Sequence, residues 1–186
     1  MSDQPVFTYD IGSPESYLAA ERVTEALGIV PEFEPVLASR LPAGEIGVFR
    51  CLEEREIHAA EIERRVAAQG LQPMRWPEWP FDSEPAMLAA AYARGIGKVV
   101  AFSLAAFRQA YAAGLDLSKP DGVIVAAAAC EIHPRAILRA LESKAVEDAL
   151  EECTANAIEA GVTSVPAVRI GAEVRHGDEA LAGATP

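Results

Sequence analysis

The chain has 186 residues, 51% of them apolar, so it is long enough for a sizeable core and too apolar to be disordered. Its 28 acidic residues outnumber the 16 basic ones, and a formal charge of -12 without any basic run argues against nucleic acid as a partner. The start lacks the pattern of a signal peptide and no apolar run reaches membrane-spanning length, so we expect a cytoplasmic protein with no membrane partner.

The first part of the chain predicts a β-α-β unit. A short apolar and aromatic run over residues 5–9 predicts the first strand, and residues 31–37 predict the second. Between them Ser13 is typical of a helix N-cap and Pro14 of a first helical position, and apolar residues recur at helical spacing up to Gly28. A right-handed crossover then makes the two strands parallel.

The middle of the chain is predicted to be helical. Apolar residues at helical spacing among Glu and Arg predict a long surface helix over 49–69, which Gly70 would end. Residues 72–85 are rich in proline, Trp and Phe, and this composition predicts a stiff aromatic loop. Further Ala-rich helices are predicted over 84–94, 98–113, 121–129 and 134–141.

The end of the chain returns to strand character after a final helix over 143–159. Residues 165–170 and 173–175 predict a hairpin with its turn at Gly171 and Ala172. Pro166 cannot donate to a β-ladder, so it predicts either an edge position or a cis turn.

Three cysteines, Cys51, Cys130 and Cys153, are widely spaced and odd in number. This pattern fits neither a disulfide framework nor a zinc site, so no metal is expected. We interpret the three thiols as small buried or half-buried hydrophobic groups in a reducing compartment.

Three segments carry a family resemblance. Residues 9–19 read Tyr-Asp-Ile-Gly-Ser-Pro-Glu-Ser-Tyr-Leu-Ala, residues 161–167 read Gly-Val-Thr-Ser-Val-Pro-Ala, and residues 176–181 read His-Gly-Asp-Glu-Ala-Leu. They resemble the DsbA-like thioredoxin superfamily. With the looser match over 75–117, they are most similar to the 2-hydroxychromene-2-carboxylate isomerases and kappa-class glutathione transferases. The resemblance implies an α/β thioredoxin-like fold, formed by residues 1–45 and 144–186, with an inserted all-helical domain over 46–143.

The resemblance also implies a role for Ser13. Redox members begin the first helix with Cys-Pro-x-Cys, whereas residues 13–16 here read Ser-Pro-Glu-Ser. Hydroxyls at both sulfur positions cannot exchange disulfides, but the Ser13 hydroxyl, helped by the helix N-terminus, can donate a hydrogen bond to the thiolate of bound glutathione. The alternative is that Ser13 only caps the helix. We interpret Ser16 as structural.

Further contacts with glutathione, the implied cofactor, follow from the same resemblance. Val165 and Pro166 would offer backbone groups to its cysteinyl unit, much as an added strand does. Asp178 and Glu179 occupy the place of a polar pair near the γ-glutamyl end, where Asp178 could instead cap the last helix. Kappa-like members usually have an aromatic residue before the glycine and a basic residue after the acidic pair. This chain has His176 and Ala180 at these positions, so part of the expected set of glutathione contacts is missing.

Two classes of function remain open. The first is a glutathione-dependent isomerase or transferase acting on a small aromatic or electrophilic substrate. The aromatic loop Trp76–Phe81 would either form a wall of the substrate site or only pack against the rest of the protein. The second is a DsbA-family oxidoreductase homologue without its cysteine pair, which would act as a peptide-binding or degenerate scaffold. A homodimer is also in keeping with the resemblance, although no surface for one is evident in the sequence.

Overall fold

A mixed four-stranded sheet in the order β2-β1-β3-β4 forms the base of the fold. This computed structural model describes residues 4–44 and 46–181, without the side chains of Asp178 and Glu179. The two strands of the predicted β-α-β unit are parallel, while the other neighbouring pairs are antiparallel. The strands are β1 Val6–Tyr9, β2 Glu32–Pro35, β3 Ala167–Ile170 and β4 Glu173–His176.

Helices follow the predicted order, with α3 to α7 inserted between β2 and α8. The chain is therefore an α/β protein with a helical insertion, as predicted, whereas the exact domain boundaries at 45/46 and 143/144 stay a prediction. None of the helices in the described part of the chain is long and apolar enough to cross a bilayer. The helices are α1 Pro14–Ala20, α2 Val23–Leu27, α3 Leu52–Ala68, α4 Glu84–Gly95, α5 Val99–Tyr111, α6 Pro120–Ala128, α7 Pro134–Leu141 and α8 Lys144–Glu159, with short 3-10 helices at Ala38–Arg40 and Gly177–Leu181.

Two local expectations are corrected. The single helix predicted after Ser13 is two helices, because the chain tightens after α1, where Arg22 N donates to Ala19 O at 3.1 Å, and then enters α2. This bend lets α2 bury both of its larger apolar side chains. The edge interpretation of Pro166 is wrong, because the residue precedes β3, an inner strand, and the Val165–Pro166 bond is cis.

Buried aromatic side chains join the sheet to the helical insertion. Phe7 and Tyr9 of β1 lie next to Phe33 of β2, with ring centroids 5.1 and 5.6 Å from it, and Tyr9 also lies 5.7 Å from Phe107 of α5. These rings are almost fully inaccessible. All four residues of β1 are buried, including the polar Thr8, whose hydroxyl donates to Glu34 Oε2 at 3.2 Å, so the strand is covered on both faces.

Tyr111 ties α5 to the turn that follows β1. Its ring stacks on Tyr17 of α1, with centroids 5.5 Å apart, and its hydroxyl donates to Ile11 O at 3.0 Å. Tyr111 is fully buried, so the Ile11 carbonyl has no access to water as a replacement donor.

Replacing Tyr111 with Phe should therefore lower the free energy of unfolding by about 1–2 kcal/mol, because a buried carbonyl loses its donor. Urea unfolding of the wild type and Tyr111→Phe measures this difference. Tyr92→Phe, at a half-exposed position of α4, is the matched control and should cost much less. Equal losses in the two variants would contradict the assigned role.

Candidate active site

Ser13 lies at the start of α1, immediately after the turn that ends β1. Its backbone is extended, and its hydroxyl oxygen accepts a hydrogen bond from Ser16 N at 3.0 Å, the geometry of an N-cap. The predicted cap is thus confirmed. Ser13 is only 2% exposed, and the Ser16 hydroxyl is buried with no hydrogen-bond partner among the described residues.

The hydroxyl proton of Ser13 is directed at a carboxylate. Ser13 Oγ donates to Glu15 Oε2 at 3.1 Å, and Glu15 Oε1 in turn lies 3.0 Å from His58 Nε2 on α3. A hydroxyl, a carboxylate and an imidazole therefore form a continuous hydrogen-bonded row. The row links the N-cap of α1 to the helical insertion.

The contact between Glu15 and His58 favours the charged form of both side chains. Burial alone would raise the pKa of the Glu15 carboxyl, but hydrogen bonds, first of all the one from His58, outweigh this effect and hold that pKa below its ordinary value. The hydrogen bond to Glu15 raises the pKa of the His58 imidazole, against the opposing effect of burial. When His58 is protonated, its positive charge offsets the negative charge of Glu15 beside Ser13.

Trp79, in the aromatic loop, contacts both the residue before Ser13 and His58. Its indole Nε1 donates to Gly12 O at 2.9 Å, and its ring lies nearly parallel to the His58 ring with centroids 5.7 Å apart. Trp79 is 6% exposed and also contacts Phe49 and Trp76. For this residue the packing interpretation of the aromatic loop is correct.

Val165 and Pro166 approach the same end of β1 from the other side. Ala167 pairs with Thr8 in the antiparallel β1–β3 ladder, so the two residues before Ala167 run alongside the end of β1. Pro166 also lines a cavity of about 30 Å³ together with Glu15, which is room for one water molecule. The fold thus brings the predicted cis-proline segment to the N-terminus of α1.

The structure describes the backbone of the predicted polar pair but not its side chains. Asp178 and Glu179 lie in the 3-10 helix that follows β4, but their side chains lie outside what the structure describes, so their role stays a prediction. His176 accepts a hydrogen bond at Nε2 from Thr163 N at 3.0 Å, which makes it a structural residue of the loop before Pro166.

A cavity of about 300 Å³, which we call the Gly12 pocket, opens next to Gly12, the residue before Ser13. Ile46, Val48 and Phe81 form its apolar wall, so one member of the predicted aromatic wall does face a cavity. Its remaining lining residues are polar or glycine: Asp10, Gly12, Ser39, Asp82 and Ser83.

Asp10 anchors the polar side of the Gly12 pocket. Its two carboxylate oxygens accept from Gly12 N at 2.8 Å and from Ala38 N at 2.9 Å, and Ser83 adds a side-chain hydrogen bond. Burial raises the pKa of Asp10, while these hydrogen bonds oppose the rise. A Cβ on Gly12 would lie only 3.1 Å from Ser83 Cβ, so the close approach of the two chains favours glycine here.

The cysteines take no part in this site. Cys153 is buried and Cys130 half-buried, as predicted, and burial raises the pKa of both thiols. Cys51 is exposed, which corrects the expectation, because it stands just before the surface helix α3. Within residues 4–44 and 46–181, no group of acidic, His and Cys side chains could hold a metal ion.

Glu15, His58, Asp10 and Asp82 were not predicted as site residues. Glu15 follows Ser13 and Pro14 in the first turn of a predicted helix, where an acidic residue ordinarily just favours the helix dipole. His58 lies on a different helix, and no local pattern pairs it with Glu15. An acidic residue directly after a strand, as at Asp10, was the one available signal.

Comparisons with known proteins agree with this geometry. A family model described as DSBA-like thioredoxin domain matches residues 6–186, and no curated protein sequence matches the chain. A structure of 2-hydroxychromene-2-carboxylate isomerase is similar, with a TM-score of 0.78 and 20% identity over 94% of this chain and 89% of that one.

Two oxidoreductase structures share the same fold. A probable DsbA oxidoreductase from Streptomyces coelicolor has a TM-score of 0.69 and 18% identity over 98% of this chain and 84% of that one. The cytosolic disulfide reductase DsbM from Pseudomonas aeruginosa with GSH has a TM-score of 0.65 and 13% identity, over 92% of this chain and 88% of that one. At these identities the likeness establishes the thioredoxin-like fold, as predicted.

The raised pKa of His58 predicts how stability depends on pH. A pKa raised on folding stabilises the protein fully below the ordinary value of 6.5, and the gain is lost as pH rises through the folded pKa. The lowered pKa of Glu15 confines this gain to pH above its ordinary value of 4.5. His58→Gln should hence cost most between these two values, by about 0.5–1 kcal/mol, and less at higher pH.

Unfolding free energies of the wild type and His58→Gln, measured across this pH range, check the prediction. Glu15→Gln should flatten the same slope, while Glu56→Gln, at an exposed position of α3, should leave it in place. A cost of His58→Gln that grows with pH would show that the sign is wrong.

Proposed function

We propose a function for this chain on the premise that it belongs to the DSBA-like thioredoxin domain family. It is a glutathione-dependent isomerase or transferase in which Ser13 donates a hydrogen bond to the thiolate of bound glutathione. The observation that carries this proposal is the pairing of a hydroxyl, in place of a redox sulfur, with the cis Val165–Pro166 bond at one end of β1. With serine at positions 13 and 16, neither position supplies a thiol.

Glutathione supplies the reacting sulfur, and the chain would stabilise its thiolate form. An alcohol is too weak an acid to act as a nucleophile like a thiolate, but it is a good donor to one. To make that bond, the Ser13 hydroxyl must turn away from Glu15, 3.1 Å distant. The ion pair with His58 lowers the cost of this rotation of the Ser13 hydroxyl. His58 already donates to the Glu15 carboxylate and offsets its charge next to the incoming thiolate.

The peptide part of glutathione would lie along the segment before β3. An extended ligand next to Val165 and Pro166 would continue the β-sheet by backbone hydrogen bonds. Asp178 and Glu179 are proposed for the γ-glutamyl ammonium, with which carboxylates form charge-assisted hydrogen bonds. GSH is present in the similar DsbM structure, which supports a glutathione site in a protein of this fold.

With glutathione bound, an electrophile would occupy the Gly12 pocket. In an isomerisation the thiolate adds to a conjugated double bond, rotation follows about what has become a single bond, and the thiolate leaves again. In a transfer the new carbon–sulfur bond is kept. Either route leaves the chain itself unoxidised and unmodified.

One observation favours a second function, a peptide-binding or degenerate scaffold. Ser13 is 2% exposed, and both its lone-pair and its proton interactions are already satisfied within the chain. Its observed bonds are those of a purely structural cap. A ligand that contacts only Val165 and Pro166 would leave them intact.

Calorimetric and ultraviolet titration with glutathione tests the first function against the second. We expect the wild type to bind glutathione with a lowered thiol pKa, and Ser13→Ala to raise the pKa of the bound thiol by about one unit, a tenfold loss of thiolate stabilisation. Ser13→Thr, which keeps hydroxyl and cap, is the matched control. Ser13→Ala also loses about 1 kcal/mol of helix capping, so each variant's unfolding must be measured alongside.

Two results would contradict the proposal. Absence of glutathione binding to the folded wild type would leave the scaffold as the better account. Catalysed reduction of a disulfide substrate by dithiol would contradict the interpretation of both serines, because neither hydroxyl can exchange disulfides.

A further inference from the structure

The Gly12 pocket has the size and walls of a site for one substituted aromatic ring. Its volume of about 300 Å³ is at the lower limit for small-molecule sites. Ile46 and Phe81 are half-buried against the core, and Val48 is 68% exposed. An aromatic ligand would cover this apolar surface and lie next to Gly12, one residue from Ser13.

The polar side of the pocket is acidic. Asp10 and Asp82 are the ionisable groups among its described lining residues, which contain no Lys, Arg or His. Asp82 is exposed, and its Oδ1 accepts from Glu84 N at 3.0 Å, so a carboxylate is held at the rim. Two serine side chains, Ser39 and Ser83, complete the polar side with neutral hydroxyls.

The arginines on the segments that border the Gly12 pocket contact groups outside its lining. Arg40 pairs with Glu151 at 3.7 Å, and Arg50 pairs with Glu54 at 3.2 Å. Arg55 Nη1 donates to Trp79 O at 3.3 Å. A carboxylate ligand in the pocket would thus meet acidic groups without a cation to offset them, within a chain whose formal charge is -12.

We propose that the Gly12 pocket selects an uncharged aromatic electrophile and rejects one that carries a carboxylate. This inference rests on the proposed glutathione-dependent function and names its substrate class. It separates the chain from 2-hydroxychromene-2-carboxylate isomerase, whose name specifies a carboxylate substrate. The shared fold would then serve different substrates through the charge of one pocket.

A matched pair of activated aryl chlorides makes the inference testable: methyl 4-chloro-3,5-dinitrobenzoate and the corresponding free carboxylate. The thiolate of glutathione attacks the ring carbon that bears chlorine and forms a carbon–sulfur bond. The carbon–chlorine bond then breaks with its electron pair, so the products are a thioether and chloride, and the thiol proton has passed to solvent. The two compounds share the reacting ring and differ chiefly in charge.

For each compound the catalysed rate is divided by the uncatalysed rate with glutathione, which removes the difference in intrinsic reactivity. We expect this ratio to be at least about tenfold larger for the ester than for the carboxylate. Asp82→Asn keeps the oxygen that accepts from Glu84 N and removes the charge, so it should narrow the preference several-fold. Glu78→Gln removes a charge from the same loop but outside the lining of the Gly12 pocket, and it should leave the preference unchanged.

Two outcomes would overturn the inference. If the carboxylate is used as well as the ester, or if Asp82→Asn has no more effect than Glu78→Gln, pocket charge does not select the substrate, while the glutathione-dependent function stands. If neither compound reacts faster than without protein, the substrate inference fails too. Calorimetric titration of glutathione then decides whether the proposed function fails with it.

Discussion

Backbone groups of the buried turn between β1 and α1 form hydrogen bonds with several other parts of the chain, and the position of Ser13 depends on these bonds. The Asp10 carboxylate accepts from Gly12 N and Ala38 N, which ties the turn to itself and to the segment after β2. Trp79 donates to Gly12 O, and Tyr111 donates to Ile11 O, so the aromatic loop and α5 hold the same few residues. Because buried backbone groups must be paired, these bonds leave the turn one conformation, and Ser13 takes its position from it.

A fixed serine at this place changes the chemistry of the fold. A cysteine there could attack a disulfide, whereas a serine can only offer a proton or a lone pair to a sulfur that arrives from outside. Glu15 competes for that proton, and a protonated His58 would weaken the competition by pairing with the Glu15 carboxylate. The Gly12 pocket is lined by Gly12, the residue before Ser13, so under the proposed function a bound thiol and an electrophile would meet near Ser13. Under the further proposal, the acidic lining of the pocket would favour electrophiles without a carboxylate.

Much of the fold could be predicted because its signals are local. The strands, the parallel β-α-β unit, the proline-rich loop and the hairpin at Gly171 all follow from hydrophobic spacing and from Gly and Pro positions. The break between α1 and α2 could not be predicted, since apolar spacing continues across it and both Val23 and Leu27 of α2 are buried. The Glu15–His58 pair was missed for a similar reason: the two residues lie on different helices, and only the folded chain brings them to 3.0 Å.

We place bound glutathione between Ser13 and the cis-proline segment. A crystal structure of the wild type grown with glutathione tests this placement. We expect the glutathione sulfur within hydrogen-bonding distance of Ser13 Oγ, with the cysteinyl backbone paired to Val165 and the Ser13 hydroxyl turned away from Glu15. Glutathione bound at another surface, or a Ser13–Glu15 hydrogen bond left intact beside it, would show that the placement is wrong.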